Sequence, residues 1–352
     1  MQTKIKFPSK RLFLSLFLCS SAVIFLQNTD LSHNNSFLFD ALCIVTGLSI
    51  ACLFFIPSVV IKKHTDLDFL SYAHIKTPSA IIFIAAFYGM YFVYTAVYFL
   101  LNYTDMFAKK LNPEANIFVI TFILLAVCVY GAYKGVNTIT RCSIFIFTFS
   151  LIAYILFYAG NISNLDFSHY GFNFSGNANE FLSNTSFYLT ISFISVIFLS
   201  VSGYTKNFKT RQTVFTMIFV ALTAMITMFF IRYVLGDYAN SQEYPAYVLS
   251  KSSHLGIVNG MDSFYLSITA LSVFLIISLI LSSVSKLSGE SSSLKMISIF
   301  AVIIFAMFIC ANYFNSVKEI LMNPIVLNTL TFISAIVVPT VYMLIFWRRK
   351  NV

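Results

Sequence analysis

The sequence predicts an all-α membrane protein of ten transmembrane helices, folded as two inverted sets of five. Three observations predict it. The first is composition: 59% of the 352 residues are hydrophobic and only 10% are charged, where a soluble chain carries about 25% charged residues. Too little polar surface is left to cover a soluble globule, and no stretch remains for a soluble domain. The second is the recurrence along the whole chain of apolar runs near the roughly 20 residues that cross a hydrocarbon layer. The third is parity: two equivalent halves of five spans must enter the membrane with opposite orientations.

In order, the spans are 12–28, 38–61, 79–101, 115–133, 143–162, 184–203, 213–235, 262–284, 296–313 and 328–347. The first follows a basic start, Lys4 to Arg11, as a signal peptide does. Gln27, Asn28, Thr29 and Asp30 then follow with no small-residue cleavage pattern, so it is kept as a mature span. Polar clusters separate most neighbours, and the two weakest separations, 133–143 and 203–213, hold Lys and Arg that a single long helix would have to bury. An even split gives repeats 12–162 and 184–347, joined by the polar loop 163–183, within one transmembrane domain spanning 1–352.

Orientation follows from the cations. With the N-terminus in the cytoplasm, Lys109, Lys110, Arg232, Lys251 and Lys318 fall outside, 5 of 22, and the other 17 fall inside. This is the positive-inside bias of an even number of spans, and it predicts that both termini are cytoplasmic. The net charge of +9 is then a topology signal and an attraction to the anionic headgroups of the lipid bilayer, with no nucleic-acid partner expected.

No predicted span holds an ionisable residue at mid-depth. Asp40, Arg141, Arg232, Asp262 and Glu319 all sit at predicted ends. A proton relay or a membrane hydrolase needs such groups within the bilayer or clustered near it, and no phosphate loop, HExxH or nucleophile elbow appears. An enzyme, a cofactor and a metal site are therefore not expected. Asp66 and Asp68, beside Lys62, Lys63 and His64, read as a solvated cytoplasmic loop. The six cysteines read as small apolar residues, and the five histidines as exposed loop residues. The sequons at Asn34, Asn102, Asn161, Asn173 and Asn184 read as the ordinary polar chemistry of outer loops.

In an inverted-repeat bundle the first helix of each half is interrupted near mid-depth, which frees backbone groups to hold a substrate. Here those are the spans 12–28, with Cys19, Ser20 and Ser21, and 184–203, with Thr190, Ser192 and Ser195. Such hydroxyls either cap freed backbone groups and bind a ligand or bond back to a carbonyl of their own helix turn. Sequence leaves both open.

The run from Ser79 to Arg141, above all GAYKGVNTITR (Gly131 to Arg141), resembles the spore germination permeases of the GerAB type. So does Glu243-Tyr244-Pro245-Ala246-Tyr247 with the following KSSHLGIVNGMDSF (Lys251 to Phe264). The resemblance covers essentially the whole chain. It implies the LeuT-like fold of the amino acid/polyamine/organocation superfamily and a role as membrane subunit of a spore nutrient-germinant receptor, with an amino acid transporter as the alternative. It also implies a small-molecule germinant such as an amino acid, and two partners, an A-type subunit and a lipoprotein C-type subunit. By the same resemblance the ligand pocket lies between the first and sixth spans, at Ser20, Ser21, Thr190, Ser192 and Ser195. Its walls come from the third span, at Gly89, Tyr91 and Tyr94, and the eighth, at Thr269 and Ser272. Where the family commonly has a Gly-Glu pair in its sixth span, this chain reads Ser192-Phe193-Ile194-Ser195. The missing acid implies binding of a small neutral or zwitterionic ligand without ion-coupled pumping. A third class, an envelope polysaccharide enzyme, would display basic outer loops, and 163–183 holds no Arg or Lys.

Overall fold

The computed structural model describes residues 6–26, 37–65, 67–76, 81–111, 113–167, 177–255, 258–288 and 294–347. Among them nine helical segments are long and apolar enough to cross a membrane, from Phe37–Thr65 to Pro324–Ile345. The helix before these, α1 (Ser9–Phe25), is one residue short of that length and almost wholly buried. The remaining helices are α2 (Phe37–Leu53), α3 (Ile56–Thr65), α4 (Phe69–Lys76), α5 (Ile81–Lys110), α6 (Ile117–Lys134), α7 (Val136–Ala159), α8 (Ala178–Leu189), α9 (Phe193–Val201), α10 (Arg211–Phe230), α11 (Pro245–Lys251), α12 (Asp262–Val284), α13 (Leu294–Tyr313), α14 (Asn315–Met322), α15 (Pro324–Phe332) and α16 (Val338–Trp347).

The starts of these helices are written in the local sequence. Asn116 caps α6, its Oδ1 accepting from the Phe118 amide at 3.1 Å, and Asn323 caps α15 ahead of Pro324, accepting from Ile325 at 2.9 Å; both satisfy donors that a helix start leaves unpaired. Between α6 and α7, Gly135 holds φ +87° and ψ 165°, a region that only glycine enters freely. A single residue therefore reverses the chain, where the spans read from sequence leave the longer gap 133–143.

Burial divides the helices into two populations. Every residue of α9 is buried, as is nearly all of α1. By contrast α6, α7 and α13 present Phe122 (62% exposed), Phe145 (78%) and Val302 (67%) outward, as lipid-facing helices do. Around α1 pack α7, α10 and α12. The short strand β1 (Phe7–Pro8) ahead of α1 pairs in parallel with β2 (Thr205–Lys206) after α9, so the start of the chain and the end of α9 share one face of the bundle. Helices α2 and α8 approach so closely that a Cβ on Gly47 would lie 2.9 Å from the Thr185 carbonyl oxygen and from Tyr188.

Two sequons read as loop chemistry are instead structural. Asn102 is buried within α5 and donates to its own Tyr98 carbonyl at 2.8 Å. Asn161 is buried at the end of α7, donating to Phe157 at 2.8 Å and to Leu249 at 3.2 Å. Asn34 and Asn173 lie outside the described residues.

Candidate functional site

Helix α8 does not pass directly into α9. Thr190–Ser192 form a single 3₁₀ turn between them, midway along the membrane-crossing segment Ala178–Tyr204. Such a turn shifts bonding from i+4 to i+3 and often marks a functional hinge. Ser195 donates to the Ser192 carbonyl at 2.7 Å, and Thr190 reaches back to Ser186 at 3.4 Å. The Ser192 hydroxyl is fully buried and makes no hydrogen bond. An orphan of this kind costs about 1–3 kcal/mol and asks for an explanation. The turn contacts α1, α2 and α15.

On α1, Ser21 lies 3.4 Å from Ser272 of α12, hydroxyl to hydroxyl. Each of the α1 serines also donates within its own helix, Ser20 to Leu16 at 2.9 Å and Ser21 to Leu18 at 2.7 Å, while Thr269 donates to Leu266 at 2.9 Å. Tyr154 of α7 has Ser21 beside it, yet its buried hydroxyl makes no hydrogen bond. Seven of the predicted residues thus sit on three elements that meet around α1: Ser20 and Ser21 on α1, Thr269 and Ser272 on α12, and Thr190, Ser192 and Ser195 on the interrupted segment.

The three from α5 point elsewhere. Gly89 lies against the Phe300 ring of α13, which a Cβ would approach to 3.2 Å. The Tyr91 hydroxyl sits 3.1 Å from Thr331 of α15, and Tyr94 donates to Ile320 of α14 at 3.0 Å. The two tyrosines, expected to close one side of a pocket together, tie α5 to two different helices. Helix α1 also runs unbroken, in contrast to the expected interruption. It contains neither Gly nor Pro, and its serines bond back into their own turns.

Charged groups that sequence left at the margins close both ends of the bundle. Asp68, expected in a solvated loop, is fully buried. It accepts from the Ser71 amide at 2.7 Å at the start of α4 and forms an ion pair with Lys286, just past α12. Lys286 also donates to the Ser200 carbonyl at 2.5 Å and stands 4.0 Å above the Tyr204 ring. Gly203 makes this possible, since a Cβ there would lie 2.5 Å from the carboxylate. Asp66 lies outside the described residues.

At the opposite end Arg232 donates to Asp40 at 2.7 Å, with the two side chains 0% and 2% exposed, and to Asn240 at 3.1 Å. The π turn Ile231–Leu235, which carries Arg232, departs from the α10 spiral where this pair forms. Nearby, Asp105 accepts from Lys318 at 2.8 Å, Lys109 at 3.1 Å and Tyr244 at 3.1 Å. Burial, and then the neighbouring Asp105 charge, raise the Tyr244 pKa, so this phenol stays a donor. Nothing in the sequence pattern marks Asp40 with Arg232, or Asp68 with Lys286, because their partners lie 192 and 218 residues away.

A buried, interrupted helix among membrane-crossing helices, uncharged at its middle and held by ion pairs at both ends, belongs to a transporter- or receptor-type membrane protein. The chain belongs to the spore germination protein family of permeases, whose sequence profile matches residues 11–320. Its fold is similar to that of a Na+-coupled sialic acid symporter in a substrate-bound outward-open state, with TM-score 0.51 and 12% identity over 95% of this chain and 80% of that one. At that identity the likeness shows the shared fold alone. Among proteins of curated function none matches the chain.

Proposed function

We propose that this permease is the membrane subunit of a spore nutrient-germinant receptor and that it binds a small neutral or zwitterionic molecule, such as an amino acid, at the interruption Thr190–Ser192. The observation that carries this reading is the buried Ser192 hydroxyl without a partner, on the one turn where the middle of this segment leaves α-helical bonding. A ligand carboxylate or ammonium at that depth meets no side-chain charge, so hydroxyls, helix ends and backbone groups supply its partners. Ser21 and Ser272 form the opposite wall.

The bundle is read as two inverted repeats, 12–162 and 184–347, with α1 as the tenth crossing element and both termini in the cytoplasm of the spore inner membrane. The short connections on that side leave little for signalling alone, which supports partnership with A-type and lipoprotein C-type subunits. Binding would bias an equilibrium between two packings of the bundle, and a ligand does so only by its difference in affinity for the two. The test is uptake of labelled alanine into proteoliposomes holding the purified chain, beside a germination response in spores carrying all three subunits. The receptor reading predicts a response without sustained uptake. Steady accumulation by this chain alone would assign it to transport.

A further inference from the structure

A cavity of about 1090 Å³ is walled by α1, α7 and α10 and by the connection between α9 and α10, toward the start of α1. None of the ten predicted ligand-binding residues lines it. Its two ends differ in chemistry. Along its length stand Leu14, Phe17, Phe147, Leu151, Phe215 and Phe219, and Leu151, Phe215 and Phe219 are 46%, 51% and 59% exposed, so the groove lies open along its side where lipid chains run. At the mouth stand Lys10, Lys206, Lys209 and Arg211, all exposed. No carboxylate lines the cavity, and none of the four cations forms an ion pair among the described residues. The mouth is also built: Ser9 donates to Gln212 at 2.7 Å and to the Asn207 carbonyl at 3.2 Å. Asn207 takes φ +55°, the left-handed conformation that asparagine tolerates, and so turns the basic connection.

We infer that this groove is a binding site for one anionic phospholipid, its headgroup phosphate held by Lys10, Lys206, Lys209 and Arg211 and an acyl chain lying along Phe17, Leu151 and Phe219. Four unpaired cations at the rim of an apolar, laterally open slot complement an anion carrying a long apolar tail, and basic pockets between membrane helices select acidic headgroups in this way. A zwitterionic lipid fills the slot equally well but gains far less at the mouth. Leu14 and Phe17 stand seven and four residues before Ser21 on the same face of α1, so the lipid would run along α1 toward Ser21 and its presence would set how freely α1 shifts.

The test is native mass spectrometry of the purified full chain with phosphatidylglycerol or phosphatidylcholine of identical chains. The wild type should retain phosphatidylglycerol, and the combined Lys206→Gln, Lys209→Gln, Arg211→Gln variant should lose about a hundredfold in affinity for it while its phosphatidylcholine signal stays level. Leu151→Trp, which fills the slot and leaves every cation in place, should displace the lipid and keeps the test decisive if the triple variant is unstable. Equal retention of the two lipids, or undiminished phosphatidylglycerol in both variants, would overturn the site. Displacement of the lipid by millimolar alanine would also overturn it, making the cavity part of the ligand's path.

Discussion

At the scale of single residues, the weight falls on charged groups buried among dedicated polar partners. Asp68 is held by Lys286, the Ser71 amide and the absence of a side chain at Gly203. Breaking a buried pair by altering one member leaves a charge without compensation and costs about 3–5 kcal/mol. Asp68→Asn is therefore expected to destabilise the folded chain by about 3 kcal/mol, and Gly203→Ala to act in the same direction by driving a Cβ into the carboxylate. Thermal unfolding in detergent measures both, and a melting temperature unchanged in either variant would remove the pair from the account. Ser192 is the opposite case, a buried hydroxyl with no hydrogen-bond partner among the described residues, and such a group calls for an explanation, which the proposed ligand supplies.

At the scale of elements, helix contact is set by small residues where backbones approach and by tyrosine and serine where they must be tied. Membrane helices gain little hydrophobic drive toward one another, so close packing carries the contact. Gly47 meets α8 so closely that a Cβ would lie only 2.9 Å from the Thr185 carbonyl oxygen. Gly47→Ala should force α2 and α8 apart and cost about 1–3 kcal/mol. Ile50→Ala, on the same helix but 41% exposed, should cost much less in the same detergent melt, and equal losses would show that the approach at Gly47 carries no special weight. This scale also separates what sequence shows from what it hides. The crossing segments were legible because apolar run length is a local property, whereas the turn at Gly135 was not resolved from the gap 133–143 that holds it. The meeting of Asp40 with Arg232 was not legible either, since it joins residues 192 positions apart, and Ser21 and Ser272, 251 apart, were brought to one pocket by the family resemblance and not by any local pattern. The α5 tyrosines show the limit of face arguments: Tyr91 and Tyr94 share a helix side, yet their hydroxyls reach α15 and α14.

At the scale of the whole molecule, an uncharged middle lies between two ionic ends. Lys286 binds the loop before α4 to the end of α9, while Asp105 gathers Lys109, Lys318 and Tyr244 at the far end. At each end one pair is already out of water, Asp68 with Lys286 and Asp40 with Arg232, and separating either would leave buried charges uncompensated. The ligand is proposed to act between them, at the turn that interrupts α8 and α9. Scintillation proximity binding of labelled L-alanine, and beside it of the other neutral amino acids, to the chain in nanodiscs tests this most directly when wild type and Ser192→Leu are compared. The account predicts saturable binding of at least one of these probes by the wild type and its loss in a variant that inserts and melts normally. Binding of equal strength in Ser192→Leu would contradict it.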